Sequence, residues 1–98
     1  MKLIYVVCSD LKEARHIGGL LVSEGIAKCV NILPAMESIY IWKGKKQTSR
    51  EAILLVKTTR EAAAYRLIEK NHSYGTPALF TIKLTRVAKR FANWIREK

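Results

Sequence analysis

Apolar and polar residues follow two different periods along this chain, and these periods predict its first elements. Leu3 to Cys8 is a short apolar run of the kind that forms a strand buried on both faces. Apolar residues then recur at helical spacing behind Asp10, which can cap a helix together with Glu13, until Gly25 ends the pattern. The chain is therefore expected to start with a strand and a helix that covers it.

The middle of the chain predicts a long β-hairpin. Lys28 to Trp42 is strand-like but is interrupted at Pro34-Ala35, where the missing proline N–H indicates a bulge or bend. The chain turns through residues 43–46 and returns as a second strand over residues 49–58. Two arms of this length project beyond any sheet that so short a chain can build, and such an arm usually needs a partner to pack on.

The second half of the chain predicts helix, strand and helix. Thr58 and Glu61 have capping-box spacing ahead of a helix that ends near Asn71, and residues 78–84 follow a turn as a strand. A C-terminal amphipathic helix is expected to close the core with an apolar stripe made of Val87, Phe91, Trp94 and Ile95. The order βαββαβ plus one helix predicts an α+β, ferredoxin-like fold with a four-stranded antiparallel sheet and an extended β-hairpin.

This topology brings two potential metal ligands to one end of the sheet. The first strand lies between the third and fourth, so Cys8 at its end lies beside the loop that carries His72, whereas Cys29 lies at the opposite edge. No disulfide is expected between the two cysteines. A thiolate and an imidazole suit copper or zinc. The alternative to a metal site is that Cys8 is a buried core residue and that His72 holds its loop in place by hydrogen bonding.

Composition narrows the class of protein. A chain of 98 residues, 49% hydrophobic and 27% charged, is expected to form one compact domain over residues 1–98. Its apolar runs are far shorter than the roughly 20 residues that cross a bilayer. The N-terminus lacks the pattern of a secretory signal. No membrane association is expected, and the two unpaired cysteines indicate a reducing compartment.

The formal net charge of +10 makes anionic partners plausible without choosing one. The basic residues are scattered, so they form either a solvated surface or an anion-binding face. No nucleic-acid motif is present, and only a salt-dependent, sequence-independent affinity is expected. Catalysis is not expected, because the chain has no paired carboxylates in a loop, no glycine-rich phosphate loop and no second histidine near His72.

Four segments resemble the CutA family of divalent-cation tolerance proteins in their order and spacing. They are residues 27–31, residues 38–45, Glu51 with residues 57–59, and residues 72–77. The resemblance covers essentially the whole chain. It implies a ferredoxin-like subunit, a homotrimer built through the long hairpin, a cytoplasmic setting and a link to copper and other divalent cations. It also implies a likeness to the trimeric PII signalling proteins, whose inter-subunit clefts bind small ligands.

One loop departs from the family pattern. Where the family commonly has His-Pro-Tyr-Glu-x-Pro-Glu, residues 72–78 are His-Ser-Tyr-Gly-Thr-Pro-Ala, so Gly75 and Ala78 replace two carboxylates. Carboxylate oxygens are the ligands that hard cations prefer. The change weakens a hard-cation site and leaves a soft one, at Cys8 and His72.

A second candidate site is a cleft between subunits, in which aromatic side chains form apolar walls and Lys57 pairs with a small anion. Two other interpretations stay open. Tyr40 and Trp42 could cement a trimer interface, and Lys57 and Glu51 could form an ion pair between chains. The residues proposed for the cleft are Cys29, Tyr40, Trp42, Glu51, Lys57 and Tyr74.

Overall fold

A computed structural model describes residues 1–97; Lys98, the last residue of the expected domain, lies outside the described part. The four strands form one antiparallel sheet in the order β2-β3-β1-β4. This order confirms the predicted ferredoxin-like α+β fold, with β1 between β3 and β4. The elements are β1 (Lys2–Cys8), α1 (Leu11–Ser23), β2 (Cys29–Trp42), β3 (Lys45–Thr58), α2 (Glu61–Asn71), β4 (Leu79–Ile82) and α3 (Lys89–Arg96).

The hydrophobic core lies between the sheet and helices α1 and α2. Alternate residues of β1 and β3 point to this side, because side chains along a strand alternate between its two faces. They meet the apolar stripes of the two helices. The helix side of the sheet is called the covered face below. Its fully buried side chains include Ile4, Val6, Leu54 and Val56 from the strands and Ile17, Leu21 and Ile68 from the helices.

The opposite side of the sheet, called the open face below, is covered by no helix comparable to α1 or α2 within residues 1–97 and is nevertheless apolar. Leu33 and Phe80 are each 48% exposed there. The Tyr5 ring stacks on Phe80 with centroids 4.8 Å apart. A single chain thus buries only one side of its sheet well.

The hairpin is longer than the sequence predicted. Lys43 and Gly44 have φ values of 53° and 76° and form a tight two-residue turn, so that pairing reaches Trp42 opposite Lys45. Strand β3 therefore begins at Lys45 rather than at residue 49. The reason is that two left-handed residues suffice to reverse the chain.

The predicted interruption at Pro34-Ala35 is confirmed as a β-bulge. The register of β2 against β3 shifts between Leu33 and Met36, so that β2 carries one more residue than β3 across this step. One additional residue reverses which side of the sheet the following side chains face. Beyond the bulge, Tyr40 and Trp42 therefore lie on the open face together with Glu51.

Strand β4 is shorter than the predicted residues 78–84. Its last paired residue, Ile82, lies opposite Leu3, one residue from the beginning of β1 at Lys2. Strand β1 therefore offers at most one further residue for pairing in that direction.

The predicted capping box of Thr58 and Glu61 is wrong. At α1 the predicted N-cap is confirmed by a 2.8 Å hydrogen bond from the Glu13 N–H to the Asp10 carboxylate, but the Glu13 carboxylate accepts the Ser9 N–H instead of the Asp10 N–H. The N-cap of α2 is Arg60. The Thr58 hydroxyl instead accepts the Arg60 N–H and donates to a backbone carbonyl. The Glu61 carboxylate accepts a hydrogen bond from a β4 hydroxyl.

Helix α3 does not close the core in the predicted way. Ala92 and Ile95 are buried, but Trp94 is 40% exposed and its ring lies 5.0 Å from the Lys28 ammonium. Helices α1 and α2 already fill the covered face. The aromatic residues of α3 therefore lie at its margin, against the aliphatic stems and charges of lysines.

Candidate functional site

Three potential metal-ligating side chains meet at one end of the sheet. Cys8 is the last residue of β1, Glu13 lies in the first turn of α1, and His72 follows the last residue of α2. Their ligand atoms all lie within 4.8 Å of one another. The structure thus brings Cys8 and His72 together as the topology predicted, and adds a carboxylate.

Sequence reasoning used Glu13 only as a capping residue and missed it here. The signal was present, because a helix that starts directly after a strand places its first turn over the end of that strand. Glu13 Oε1 lies 3.7 Å from His72 Nε2 and accepts the Ser9 N–H at 2.9 Å. Its Oε2 accepts the Ser73 N–H at 2.9 Å. Partial burial raises the pKa of this carboxyl, but the hydrogen bonds from Ser73 and Ser9 outweigh burial and leave the pKa below its usual value.

His72 also has a structural role. Its side chain is fully buried, and Nε2 lies 2.6 Å from the Val7 carbonyl oxygen. Nδ1 accepts the Tyr74 N–H at 3.1 Å, which assigns the proton of a neutral ring to Nε2. The imidazole therefore connects the loop after α2 to the end of β1. A metal on Nε2 would have to replace the bond to Val7.

Cys8 is a thiol rather than a thiolate at neutral pH. Burial raises its pKa to about 12, and the nearby negative charges of Glu13, Asp10 and Glu51 raise it as well. Because a metal binds the thiolate, binding here must displace a proton. The donor set of thiolate, imidazole and carboxylate fits zinc or copper better than magnesium or calcium.

A groove lies beside this cluster, on the open face. It has a volume of about 780 Å³, and its walls include Tyr40, Trp42, Glu51 and Tyr74. The Tyr74 hydroxyl donates to Glu51 Oε2 at 2.6 Å. Burial and this bond to a carboxylate raise the pKa of Tyr74, so that the hydroxyl keeps its proton. Four of the six residues predicted for a cleft are thus brought together within one chain.

Cys29 and Lys57 are not in this groove. They lie opposite each other in the β2–β3 ladder, and six residues of strand place Lys57 about 20 Å from Glu51 along β3. The Lys57 ammonium instead lies 5.2 Å from the centre of the Phe91 ring. Both cysteines are free thiols. The groove of a single chain therefore lacks the lysine that was expected to pair with an anion.

Comparison with known proteins places this architecture in a family. The profile of the family described as CutA1 divalent ion tolerance protein matches residues 2–98. The divalent-cation tolerance protein CutA of Archaeoglobus fulgidus is 36% identical over 96 residues, which cover 96% of this chain and 93% of that protein. Protein CutA 1, chloroplastic, of Oryza sativa subsp. japonica is 33% identical over 96 residues, which cover 95% of this chain. This chain spans about half, 54% and 52%, of the rice protein and of its Arabidopsis thaliana counterpart.

Solved structures agree with this placement. The CutA structure from Archaeoglobus fulgidus, described as periplasmic, superposes with a TM-score of 0.90 at 34% identity, over 96% of this chain and 93% of that chain. The Cut A1 structure from Thermus thermophilus gives a TM-score of 0.92 at 30% identity, over 97% of this chain and 94% of that chain. Within the described residues, none of the helices is long and apolar enough to span a membrane. The chain belongs to the CutA1 family of divalent ion tolerance proteins.

Proposed function

We propose that this protein binds a divalent metal ion, copper or zinc, at Cys8, Glu13 and His72, and so contributes to cation tolerance in metal homeostasis or signalling. The proposal is supported above all by the convergence of three donor atoms within 4.8 Å at one buried corner of the sheet. Relatives named for divalent-cation tolerance add to that support.

Each of the three side chains would supply one ligand atom to the ion. Cys8 would supply a soft thiolate, His72 a ring nitrogen and Glu13 an oxygen that already lies in position through its backbone hydrogen bonds. The positive charge of a bound ion would stabilise the buried thiolate of Cys8. Three protein ligands leave room for water or for a group from another copy of the chain.

The functional unit we propose is a cytoplasmic homotrimer. Support comes from the open face, where Leu33 and Phe80 are each 48% exposed, and from the hairpin, where Ile41 is 68% exposed. Apolar surface of this kind is stabilised by burial against further copies.

Titration with copper and with zinc, followed by isothermal calorimetry, tests the metal site. Cys8→Ser and Glu13→Gln should each weaken binding by at least about tenfold, as loss of a ligand or of its support does at metal sites. His72→Ala should do the same, and circular dichroism checks that each variant is folded.

The chain offers a matched control for each of two ligands. Cys29 is a free cysteine at the other end of the sheet, and His16 is exposed on α1. Cys29→Ser and His16→Gln should leave the affinity unchanged. Unaltered affinity in Cys8→Ser and His72→Ala would remove the proposed site.

A second function is favoured by the groove. It is a PII-like trimeric scaffold whose inter-subunit clefts bind an anionic small molecule or a protein partner. The aromatic walls and the 780 Å³ volume support ligand binding. An anion in this groove would require a cation from another copy, such as Lys57. Binding of an anionic metabolite that is lost in Lys57→Gln, with metal affinity intact, would favour this function.

A further inference from the structure

The groove on the open face is acidic, although the chain is strongly basic. Lysine and arginine number 18 and aspartate and glutamate 8 in the sequence. Among the described residues that line the groove, Glu51 is the charged one, and neither lysine nor arginine takes part. The charge of the groove itself is therefore negative.

The Glu51 carboxylate is only half satisfied by the protein. The residue is 8% exposed, and its Oε2 accepts the Tyr74 hydroxyl at 2.6 Å. Within residues 1–97, Oε1 accepts no hydrogen bond, yet no fully buried polar side-chain atom is left without a partner. Oε1 therefore keeps accessible surface, and Glu51 lines the groove. A carboxylate in such a wall favours a cation opposite it.

The other walls select an organic cation rather than a metal ion. Tyr40, Trp42 and Tyr74 present aromatic rings, whose faces attract ammonium groups. Calcium or magnesium needs several oxygen ligands, chiefly carboxylates and carbonyls, and the one carboxylate here falls short of that set. Hydroxyls of Ser38 and Ser49 on the same wall can accept or donate to the rest of a ligand.

We infer that this groove binds a small organic cation, an alkylammonium group whose charged head lies between the Glu51 carboxylate and the rings of Tyr40 and Trp42. The inference rests on one part of the second proposed function, ligand binding in the groove, and assigns a cation where that function has an anion. It uses none of the three proposed metal ligands, Cys8, Glu13 and His72.

A pair of probes of the same shape tests the charge directly. Choline carries a quaternary ammonium group, and 3,3-dimethylbutan-1-ol replaces its nitrogen with carbon. Each is titrated into the full-length, assembled protein while nuclear magnetic resonance follows the backbone amides of Gly75 and Thr76 in the groove. Choline should bind at least about tenfold more tightly than the uncharged alcohol, because only choline gains from the carboxylate and the aromatic faces.

Variants assign the effect to the proposed residues. Glu51→Gln keeps an acceptor for Tyr74 but loses the charge, and should weaken choline binding by about tenfold. Trp42→Leu, at a position that is 55% exposed, should also weaken it without loss of the fold. Glu37→Gln is the matched control, because Glu37 is exposed and lies beyond the bulge on the other side of the hairpin.

Three results would overturn the inference: equal binding of the two probes, choline binding that is unchanged in Glu51→Gln, or no saturable binding of choline. Sedimentation and metal titration on the same samples distinguish failure of this inference from failure of the proposed trimer or of the proposed metal site. If another copy of the chain fills the groove, choline produces no chemical-shift changes although the protein still sediments as a trimer, and the inference fails. Loss of metal binding in Cys8→Ser with choline binding intact leaves the inference standing.

Discussion

The two faces of the sheet are built from the same strands but have opposite environments. On the covered face, Leu54 and Val56 are fully buried under two helices. On the open face, Leu33 and Phe80 keep 48% of their surface exposed beside a groove that contains a carboxylate. The comparison teaches that one chain has enough helix to shelter one side only. Stability is concentrated on the first face, and association and ligand binding are expected on the second.

The largest effect is expected from a cavity in the covered face. Leu54→Ala should lower the free energy of unfolding by about 2–5 kcal/mol, because the site is closed by packed neighbours and cannot collapse. Urea denaturation followed by circular dichroism measures it. Val22→Ala, on an apolar residue of α1 that is 45% exposed, is the control and should change stability far less. Equal losses in both variants would contradict the concentration of stability in the buried residues of the covered face.

A charge on the open face should break the assembly. Leu33→Asp places a carboxylate where another copy is proposed to pack, and should raise the concentration at which the protein dissociates by at least about tenfold. Analytical ultracentrifugation across micromolar concentrations measures it. Val22→Asp is a matched control, since Val22 is 45% exposed but lies on α1, away from the sheet. A wild-type chain that sediments as a folded monomer would disprove the trimer.

The metal affinity should depend on pH through Cys8. The folded protein holds the pKa of this thiol at about 12, so that one proton must leave on binding at neutral pH. Because one proton is released from Cys8 for each ion bound, the deprotonation of Cys8 should by itself raise the metal affinity by about tenfold per pH unit between pH 6 and 9. Zinc titration in buffers of different ionisation enthalpy counts the released proton. Cys8→Ser should remove this proton release, and an affinity independent of pH would contradict thiolate ligation.

The smallest effect is expected from Glu13. Its pKa is lowered in the folded chain from a usual 4.5, so its contribution to stability is present above that pH and is lost as the pH falls through the folded value. Urea midpoints between pH 3 and 7 should therefore fall more steeply in the wild type than in Glu13→Gln. Glu69→Gln, on an exposed residue of α2, should keep the wild-type slope. Parallel slopes in all three proteins would contradict the hydrogen-bonded role of Glu13.

The helices and strands and their order were predictable because patterns of residues close together in the sequence determine them. Asp10 caps α1 as its spacing indicates, and Pro34 marks the bulge, since proline cannot donate in a ladder. The proximity of Cys8 and His72 followed from the strand order alone. Two predictions were wrong because tertiary contacts outweighed a local pattern. Thr58 does not cap α2 and donates to the Ile26 carbonyl, and Trp94 does not enter the core and lies against the Lys28 ammonium.

Which residues line the groove could not be predicted without the register of β2 against β3. Tyr40 and Trp42 alternate with isoleucines, and which pair faces Glu51 depends on the extra residue at the bulge. Separation of Lys57 from Glu51 follows from the length of strand between them.

By itself, the sequence determined which segments form strands and helices, where caps and turns lie, and which family pattern the chain resembles, because these depend on neighbours a few residues away. Only the tertiary structure decided that Glu13 joins Cys8 and His72, that the open face is left apolar, and that the groove is acidic. Those properties depend on which distant side chains share a corner or a face, and backbone pairing over the whole sheet sets that.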